Sequence, residues 1–202
     1  MMLVAEIQLM VTSTIWAVLK AACANIFDTR HITIKLFIVE DETKGNNQFM
    51  ERTLVLIKPD AIQRDLVGEL IHIFERKGLK LVGMKMMALS DELLNDHYIH
   101  LQGRDFFAEI KTFMRSTPVI ACCWEGVDCV NTVRMLCGIT KAREAAPGTI
   151  RGDLAMSVQA NLVHASDSLE TAEVEVERFF SADELFEYED VLNPFIYSSR
   201  EK

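Results

Sequence analysis

The sequence predicts an α+β sandwich in which helices cover a single sheet. From residue 51 onward the predicted order is strand, helix, strand, helices, strand, helix, loop, strand and helix, which favours this class. The chain has 202 residues, of which 50% are hydrophobic, 25% charged and 8% aromatic. This length is sufficient for a full hydrophobic core, and the composition excludes a disordered chain, a collagen and a coiled coil.

The first half of this order rests on short periodic runs of hydrophobic residues. Residues 53–57 are β-branched or apolar and end close to a proline, as is typical of a buried strand. A helix is predicted from Val67 to Gly78, because hydrophobic residues recur at helical spacing and glycine readily takes the left-handed backbone that ends a helix. Residues 79–87 alternate as a half-buried strand, and the hydroxyl of Ser90 is placed to cap the next helix. The hydrophobic positions of that strand are Leu79, Leu81, Met84 and Met86.

The second half contains two further helices, at residues 104–115 and 127–137, with a strand at 119–124 between them. Residues 138–153 follow no sustained period and carry three glycines and a proline. They are predicted to form a long ordered loop, and loops of that length in compact domains usually serve a function.

The last predicted strand and helix follow this loop. Residues 161–164 are apolar up to a histidine and are predicted to be the tip of a strand. Asp167 with Glu170 three residues later resembles a capping box, so a helix is predicted to open there and run to Phe180.

Residues 1–50 are expected to form an extension that ends in a polar linker over residues 41–50. The apolar run at the start is interrupted well before the ~20 residues that a membrane span needs, so no membrane partner is expected. No positive charge precedes that run, which disfavours a signal peptide. Three interpretations of the extension remain open: an unrelated segment, a poorly ordered tail, or codons upstream of an initiator at Met50.

The net charge and the cysteines exclude several further partners and types of site. A formal net charge of −9 argues against a stable nucleic-acid partner, although a few cations can still attract a small anionic ligand. The five cysteines form no CxxC pair and have no histidine at zinc-finger spacing. They are predicted to be reduced and mostly buried, which fits a reducing compartment such as the cytoplasm.

One histidine is a candidate nucleophile. His164 ends a predicted strand just before a small-residue turn, where the amides of a new helix favour anions. A neutral imidazole is a competent nucleophile near pH 7, since its unperturbed pKa is about 6.5. Glu175, two helical turns later, could fold back to orient that ring, with a solvated helix face as the alternative. Surface or core packing is expected for the other histidines, His31, His72, His97 and His100.

Phosphate chemistry needs fixed cations, and the sequence offers several. Arg151 ends a glycine-rich stretch, so its guanidinium could converge with loop amides on one oxyanion. No Walker A motif and no kinase-type glycine loop occurs, so a nucleotide would be bound in another manner. The candidate cations are Lys58, Arg104, Arg134, Arg143 and Arg151, and surface pairing is the alternative for any one of them.

Three motifs together carry a family resemblance. They are Lys58-Pro-Asp-Ala61, Pro147-Gly-Thr-Ile-Arg-Gly-Asp153 and Asn161-Leu-Val-His-Ala-Ser-Asp-Ser168. In this order and at this spacing they resemble the nucleoside diphosphate kinases. The resemblance runs from about residue 51 to 197, which leaves residues 1–50 as the extension and 198–202 as a C-terminal tail.

The resemblance implies a ferredoxin-like α/β sandwich with βαββαβ order and an antiparallel sheet covered by helices. It also implies a homo-oligomer, hexamer or tetramer, that transfers the γ-phosphate of an NTP, mainly ATP, to an NDP. The transfer is ping-pong through a phosphohistidine at His164. Mg²⁺ would arrive on the nucleotide phosphates and needs no cage of protein carboxylates.

The resemblance also assigns roles residue by residue. Phosphates and ribose would be contacted by Lys58, Arg134, Thr140, Arg151 and Asn161. Phe106 would stack on the base, and Tyr98, Ser166 and Glu175 would lie beside the histidine and position it. Ala61, His100, Asp105 and Lys141-Ala142 depart from the family pattern, the last pair in a loop that makes subunit contacts.

Two rival functions remain at this point. A member of the same fold could bind nucleotides as a scaffold without transferring phosphate, because fold does not fix function. A phosphocarrier could pass the phosphoryl group from its histidine to another protein. The retained His164, Lys58, Arg134 and Arg151 argue for the enzyme.

Overall fold

The computed structural model describes residues 50–201, and these residues contain a four-stranded antiparallel sheet. The strands are β1 (Met50–Ile57), β2 (Lys80–Met87), β3 (Val119–Val127) and β4 (Val163–Ala165), in the order β2-β3-β1-β4. The helices are α1 (Pro59–Gln63), α2 (Val67–Lys77), α3 (Asp91–His97), α4 (Phe107–Met114), α5 (Cys129–Cys137), α6 (Ile150–Leu154), α7 (Leu169–Phe179) and α8 (Asn193–Ile196). This arrangement confirms the predicted α+β class and the ferredoxin-like order of its strands.

Strand β1 is the centre of the sandwich and is buried on both of its faces. Val55 and Ile57 belong to a core shared with α1, α2, α5 and α6, whereas Leu54 and Leu56 belong to a second core shared with α3, α4 and α7. Because successive side chains of a strand point to opposite faces, one apolar run serves both layers. The predicted strand at 53–57 is therefore part of a longer central strand, and helices cover both faces of the sheet.

Local signals placed the ends of two helices correctly. Gly78 ends α2 with φ 95°, and its amide donates to the carbonyl of Glu75 at 2.9 Å. The hydroxyl of Ser90 caps α3 by accepting a hydrogen bond from the amide of Leu93 at 3.1 Å. In both places the residue type supplies the conformation or the acceptor that a helix end requires.

Three predicted details are wrong. Met84 and Met86 of β2 are 54% and 61% exposed, although the bulge between Leu81 and Gly83 keeps them on the same face of the sheet as Leu81. They lie on the edge strand, which pairs only with β3 among the described strands. Helix α7 is capped by Ser168 and not by Asp167. The predicted loop at 138–153 is not irregular to its end, because residues 150–153 already form the first part of α6.

Four cysteines of the described region are free and buried, as predicted. Cys122 and Cys123 are neighbours on β3 but belong to opposite cores, and burial raises the pKa of each thiol to about 12. Cys129 and Cys137 lie on α5, and burial raises the pKa of Cys137 to about 11. The expectation for Cys23 and the predicted extension fall outside residues 50–201. Within this range no helix combines the length and the hydropathy of a membrane span.

Two glycines allow the loop before α6 to fold back on itself. Gly138 has φ 76°, and a Cβ there would stand 2.5 Å from Oγ1 of Thr149. At Gly152 a Cβ would stand 2.1 Å from the carbonyl oxygen of Ala146. Such contacts are too short for carbon and oxygen, so any larger residue would open the loop.

Replacing Gly152 by alanine tests this close approach. We expect Gly152→Ala to lower the free energy of unfolding by about 1–3 kcal/mol, because the new methyl group meets a backbone carbonyl that has no room to move. Chemical unfolding followed by circular dichroism measures the effect. Gly68→Ala on α2 is the matched control, since a Cβ at residue 68 meets nothing within 4 Å and alanine favours helix. Equal stability of the two variants would contradict the steric explanation.

Candidate active site

A cleft of about 960 Å³ opens beside β4 and collects nearly all the predicted site residues. Nine of the ten line it: Lys58, Tyr98, Phe106, Arg134, Thr140, Arg151, Asn161, His164 and Glu175. The tenth, Ser166, is fully buried behind Glu175. Arg104 and Arg143, the other two cations considered from the sequence, are not among the residues that line this cleft.

His164 lies at the centre of the short strand β4 and is fixed by α7. Its Nε2 lies 3.0 Å from Oε2 of Glu175, and the hydroxyl of Ser166 donates to the same oxygen at 2.7 Å. Burial raises the pKa of Glu175, but its hydrogen bond and Coulombic interaction with His164, together with the hydrogen bond from Ser166, outweigh burial and lower the pKa to about 2. An ionised carboxylate only accepts hydrogen bonds, so the ring proton sits on Nε2. The lone pair of His164 is therefore on Nδ1.

A second histidine stands beside the first, and sequence reasoning did not assign it to the site. His97 ends α3, is 4% exposed, and meets the ring of His164 edge-on with a centroid distance of 4.5 Å. Its Nδ1 lies 3.6 Å from Oε1 of Glu175. Burial, helped by the charge of His164, lowers the pKa of His97 to about 3, so the ring is neutral. Its core packing fits the original expectation, and its place directly before Tyr98 was the one signal for a role at the site.

Lys58 connects the end of β1 to the turn before β4. Its ammonium donates to the side-chain oxygen of Asn161 at 2.8 Å and to the carbonyl of Gln159. The amide of Asn161 in turn donates to the carbonyl of Thr140 at 3.1 Å. Burial lowers the pKa of Lys58 to about 8, while Asp60 raises it and Arg151 lowers it further. The ammonium is therefore a cation at pH 7 that loses its proton easily.

The turn before β4 contains strained backbone. Leu162 is fully buried and has φ 73°, a left-handed conformation that is unfavourable for a leucine. Its amide donates to the carboxylate of Asp60 at 3.0 Å, and its carbonyl accepts from the amide of Lys58 at 2.9 Å. These two bonds hold the strained residue in place, as is common at functional sites. They also fix Asn161 and His164 on either side of it.

The two arginines of the cleft are held in different ways. Arg151 is 9% exposed and donates to the carbonyls of Gly138 at 2.6 Å and Val163 at 2.7 Å. Burial lowers its pKa, and no acceptor among residues 50–201 pairs with its Nε. Arg134 is more exposed and forms an ion pair with Asp167. The guanidinium of Arg151 is thus fixed by backbone carbonyls, whereas that of Arg134 is held only by a side chain that a ligand could replace.

The aromatic residues lie at different depths in the cleft. Tyr98 is 9% exposed, and its ring centroid lies 6.4 Å from that of His164. Burial raises the pKa of Tyr98, so its phenol is neutral. Phe106 is 46% exposed in the turn before α4. The cleft therefore has an apolar rim above a floor of cations and one oriented imidazole.

This fold and this cleft define a class of protein: a ferredoxin-like α+β domain that presents a carboxylate-bound histidine among cations. The family model described as nucleoside diphosphate kinase matches residues 51–185. The chain belongs to the nucleoside diphosphate kinase family. It is accordingly a phosphotransferase that exchanges phosphate between nucleoside triphosphates and diphosphates, which confirms the resemblance found in the sequence.

Individual relatives agree with this assignment. A nucleoside diphosphate kinase of Parabacteroides distasonis is 60% identical over 140 residues, which cover 69% of this chain and 92% of the relative. Nucleoside diphosphate kinase A of Homo sapiens is 47% identical over 147 residues, covering 73% of this chain and 97% of the relative. A solved structure, the Halobacterium salinarum nucleoside diphosphate kinase in complex with CDP, matches with a TM-score of 0.73 at 41% identity and covers 74% of this chain and 100% of that one.

The low pKa of Glu175 predicts how stability changes in acid. The carboxyl group has a pKa of about 2 in the folded chain against an ordinary value of 4.5. Its contribution of about 3 kcal/mol to the free energy of unfolding is therefore complete above pH 4.5 and is lost as the pH falls toward 2. We expect the free energy of unfolding to fall less in Glu175→Gln than in the wild type as the pH is lowered from about 5 to about 3. Urea unfolding measures this free energy at each pH.

The matched control for this variant is Glu173→Gln, because Glu173 is exposed on the same helix. Its stability should follow the wild-type pH dependence. If the free energy of unfolding depends on pH identically in the wild type and in Glu175→Gln, the neighbours of Glu175 do not stabilise its ionised carboxylate in the fold.

Proposed function

We propose that the chain transfers the γ-phosphate of an NTP, mainly ATP, to an NDP by a ping-pong reaction through a phosphohistidine at His164. The observation that carries this proposal is the hydrogen bond between Nε2 of His164 and Glu175, because it leaves Nδ1 with a lone pair in a cleft that contains cations. The complex of the Halobacterium salinarum relative with CDP supports a nucleotide as the ligand of this cleft.

In the first half-reaction Nδ1 attacks the γ-phosphorus. A nitrogen–phosphorus bond forms, the bond from the γ-phosphorus to the bridging oxygen breaks, and the NDP leaves with that electron pair. The ring becomes positively charged at this step, and the ionised Glu175 stabilises the charge through Nε2. A second NDP then enters, and its β-phosphate oxygen takes the phosphoryl group by the reverse of these steps.

The cations account for most of the catalysis. In-line transfer passes through a loose transition state whose charge is spread over the phosphoryl oxygens, so alignment and neutralisation matter more than acid–base chemistry. We assign this role to Lys58, Arg151 and Arg134, the last of which exchanges Asp167 for a phosphate. Thr140 and Asn161 complete the contacts with phosphate and ribose. Phe106 stacks on the base, and because stacking discriminates poorly among bases, broad nucleotide acceptance follows.

Mg²⁺ fits this site as a companion of the nucleotide. Two of the carboxylates that line the cleft already have partners: Asp96 pairs with Arg178, and Glu175 with His164. The ion would therefore be held by the β- and γ-phosphate oxygens, where it neutralises charge and keeps most of its waters. Tyr98 and Ser166 act indirectly, by positioning His164 and Glu175.

We also propose a domain and assembly plan. Residues 51–197 form the catalytic domain, residues 1–50 an extension and linker, and residues 198–202 a tail. The domain assembles as a homo-oligomer, hexamer or tetramer, and exposed Met84 and Met86 on the edge strand β2 support contact with a second copy. The four buried free thiols support a cytoplasmic location, and neither nucleic acid nor membrane is a stable partner.

The decisive experiment is intact-mass measurement after brief incubation of the full chain with ATP and magnesium. The wild type should gain one phosphoryl group, lose it on acid treatment and lose it within milliseconds to seconds when excess NDP is added. His164→Ala should gain none, whereas His72→Asn, at an exposed position on α2, should behave as the wild type. A label that survives acid, or that forms on His164→Ala, would overturn the proposal. A label that persists with NDP would indicate a phosphocarrier, and no label on any form would indicate a scaffold.

The pKa of Lys58 predicts the alkaline limb of the reaction. Because its pKa in the free enzyme is lowered to about 8, the ammonium that attracts phosphate is present below that pH and disappears above it. We expect kcat/KM to fall above about pH 8 in the wild type and to stay level in Lys58→Arg, since arginine keeps its charge. Lys77→Arg, at an exposed position, should retain the wild-type limb. If kcat/KM of Lys58→Arg falls above the same pH, the ionisation responsible belongs to a group other than Lys58.

A further inference from the structure

The two histidines and the glutamate at the floor of the cleft form a set of metal ligands. One ligand atom from each of His97, His164 and Glu175 can be chosen so that all three lie within 4.8 Å of one another. Two imidazoles and a carboxylate are a common ligand set for zinc and related ions in proteins. They are a poor set for Mg²⁺, which prefers oxygen ligands and keeps its waters.

The phosphoryl-transfer chemistry leaves His97 unexplained. The side chain is 4% exposed, and neither of its ring nitrogens has a hydrogen-bond partner among residues 50–201. A buried polar atom without a partner is unfavourable and calls for a specific reason. His97 also lines the cleft, and its Nδ1 is the atom that lies 3.6 Å from Oε1 of Glu175. A cation bound to Nδ1 would satisfy this atom.

We propose that His97, His164 and Glu175 bind one divalent transition-metal ion, with Zn²⁺ as its representative, and that this binding switches phosphoryl transfer off. The carboxylate offers one oxygen to each ring, since Oε2 lies 3.0 Å from Nε2 of His164 and Oε1 faces His97. An ion above the carboxylate reaches zinc-ligand distances of about 2.0–2.2 Å after small side-chain shifts. The inhibitory part of this inference rests on the proposed role of His164.

The switch follows from where the proton of the imidazole sits. In the active form Nε2 of His164 carries the proton and Nδ1 the lone pair. A metal ion at Nε2 needs the lone pair of that nitrogen, so the proton leaves Nε2 and, in the neutral ring, resides on Nδ1. Nδ1 then has no lone pair with which to attack phosphorus. The number of protons on the ring is unchanged, and only the tautomer is reversed.

The binding test compares two histidine variants of the nucleotide-free full chain. Calorimetric titration with metal-buffered zinc should show that His97→Phe binds zinc at least about tenfold more weakly than the wild type, because loss of a ligand should weaken binding no less than loss of an outer partner. Phenylalanine keeps the aromatic packing against Tyr98 and Phe179. His72→Asn should bind as the wild type, so zinc held elsewhere on the chain cancels in the comparison. Equal affinity of His97→Phe and the wild type would overturn the site.

A second measurement needs no variant. Nitrogen-15 NMR of the histidine rings should show the proton of His164 on Nε2 without zinc and on Nδ1 with one equivalent of zinc. In parallel, buffered zinc should abolish phosphohistidine formation, and a chelator should restore it. A zinc-bound chain with Nε2 still protonated, or with full phosphohistidine formation, would refute the switch. If no phosphohistidine forms even without zinc, the proposed function fails, while the affinity and tautomer measurements still decide the metal site.

Discussion

The hydrogen bond between the carboxylate of Glu175 and Nε2 of His164 is the interaction on which the site depends. It joins a strand of three residues to a helix of eleven and decides which ring nitrogen carries the proton. Burial alone would favour the protonated acid, yet the partners around Glu175 keep its pKa at about 2. The nucleophile is therefore oriented by a charge that only the assembled fold can maintain.

A second constraint acts from the opposite side of β4. The left-handed Leu162 is held by Asp60 and by the backbone of Lys58, so the first motif of the sequence clamps the turn of the third. The glycine-rich loop supplies Arg151, which in turn bonds the carbonyl of Val163. The three motifs that carry the resemblance are thus in direct contact. Motifs that are far apart in the sequence are adjacent in the structure.

Features set by neighbouring residues were predictable, and those set by pairing across the fold were not. The strand ending at Ile57, the stop at Gly78 and the cap at Ser90 follow from local chemistry. The exposure of Met84 and Met86 depends on the place of β2 at the edge of the sheet, which no periodicity in β2 reveals. His97 meets His164 because α3 and α7 share one core, in which Leu94 lies with Val176 and Phe179. This contact joins residues that are far apart in sequence. The roles of the cleft residues came from the family resemblance, since a single arginine in a sequence is ordinarily a surface residue.

The reactivity of the buried thiols can be used to measure local unfolding of the sandwich. Thiol reagents attack the thiolate, and Cys122 and Cys123 are both shielded from solvent and held far from ionisation. Alkylation at either sulfur therefore requires a local unfolding event, and its rate measures the free energy of that event. Because the two sulfurs face opposite layers, alkylation separates the loosening of one helical layer from that of the other within a single strand.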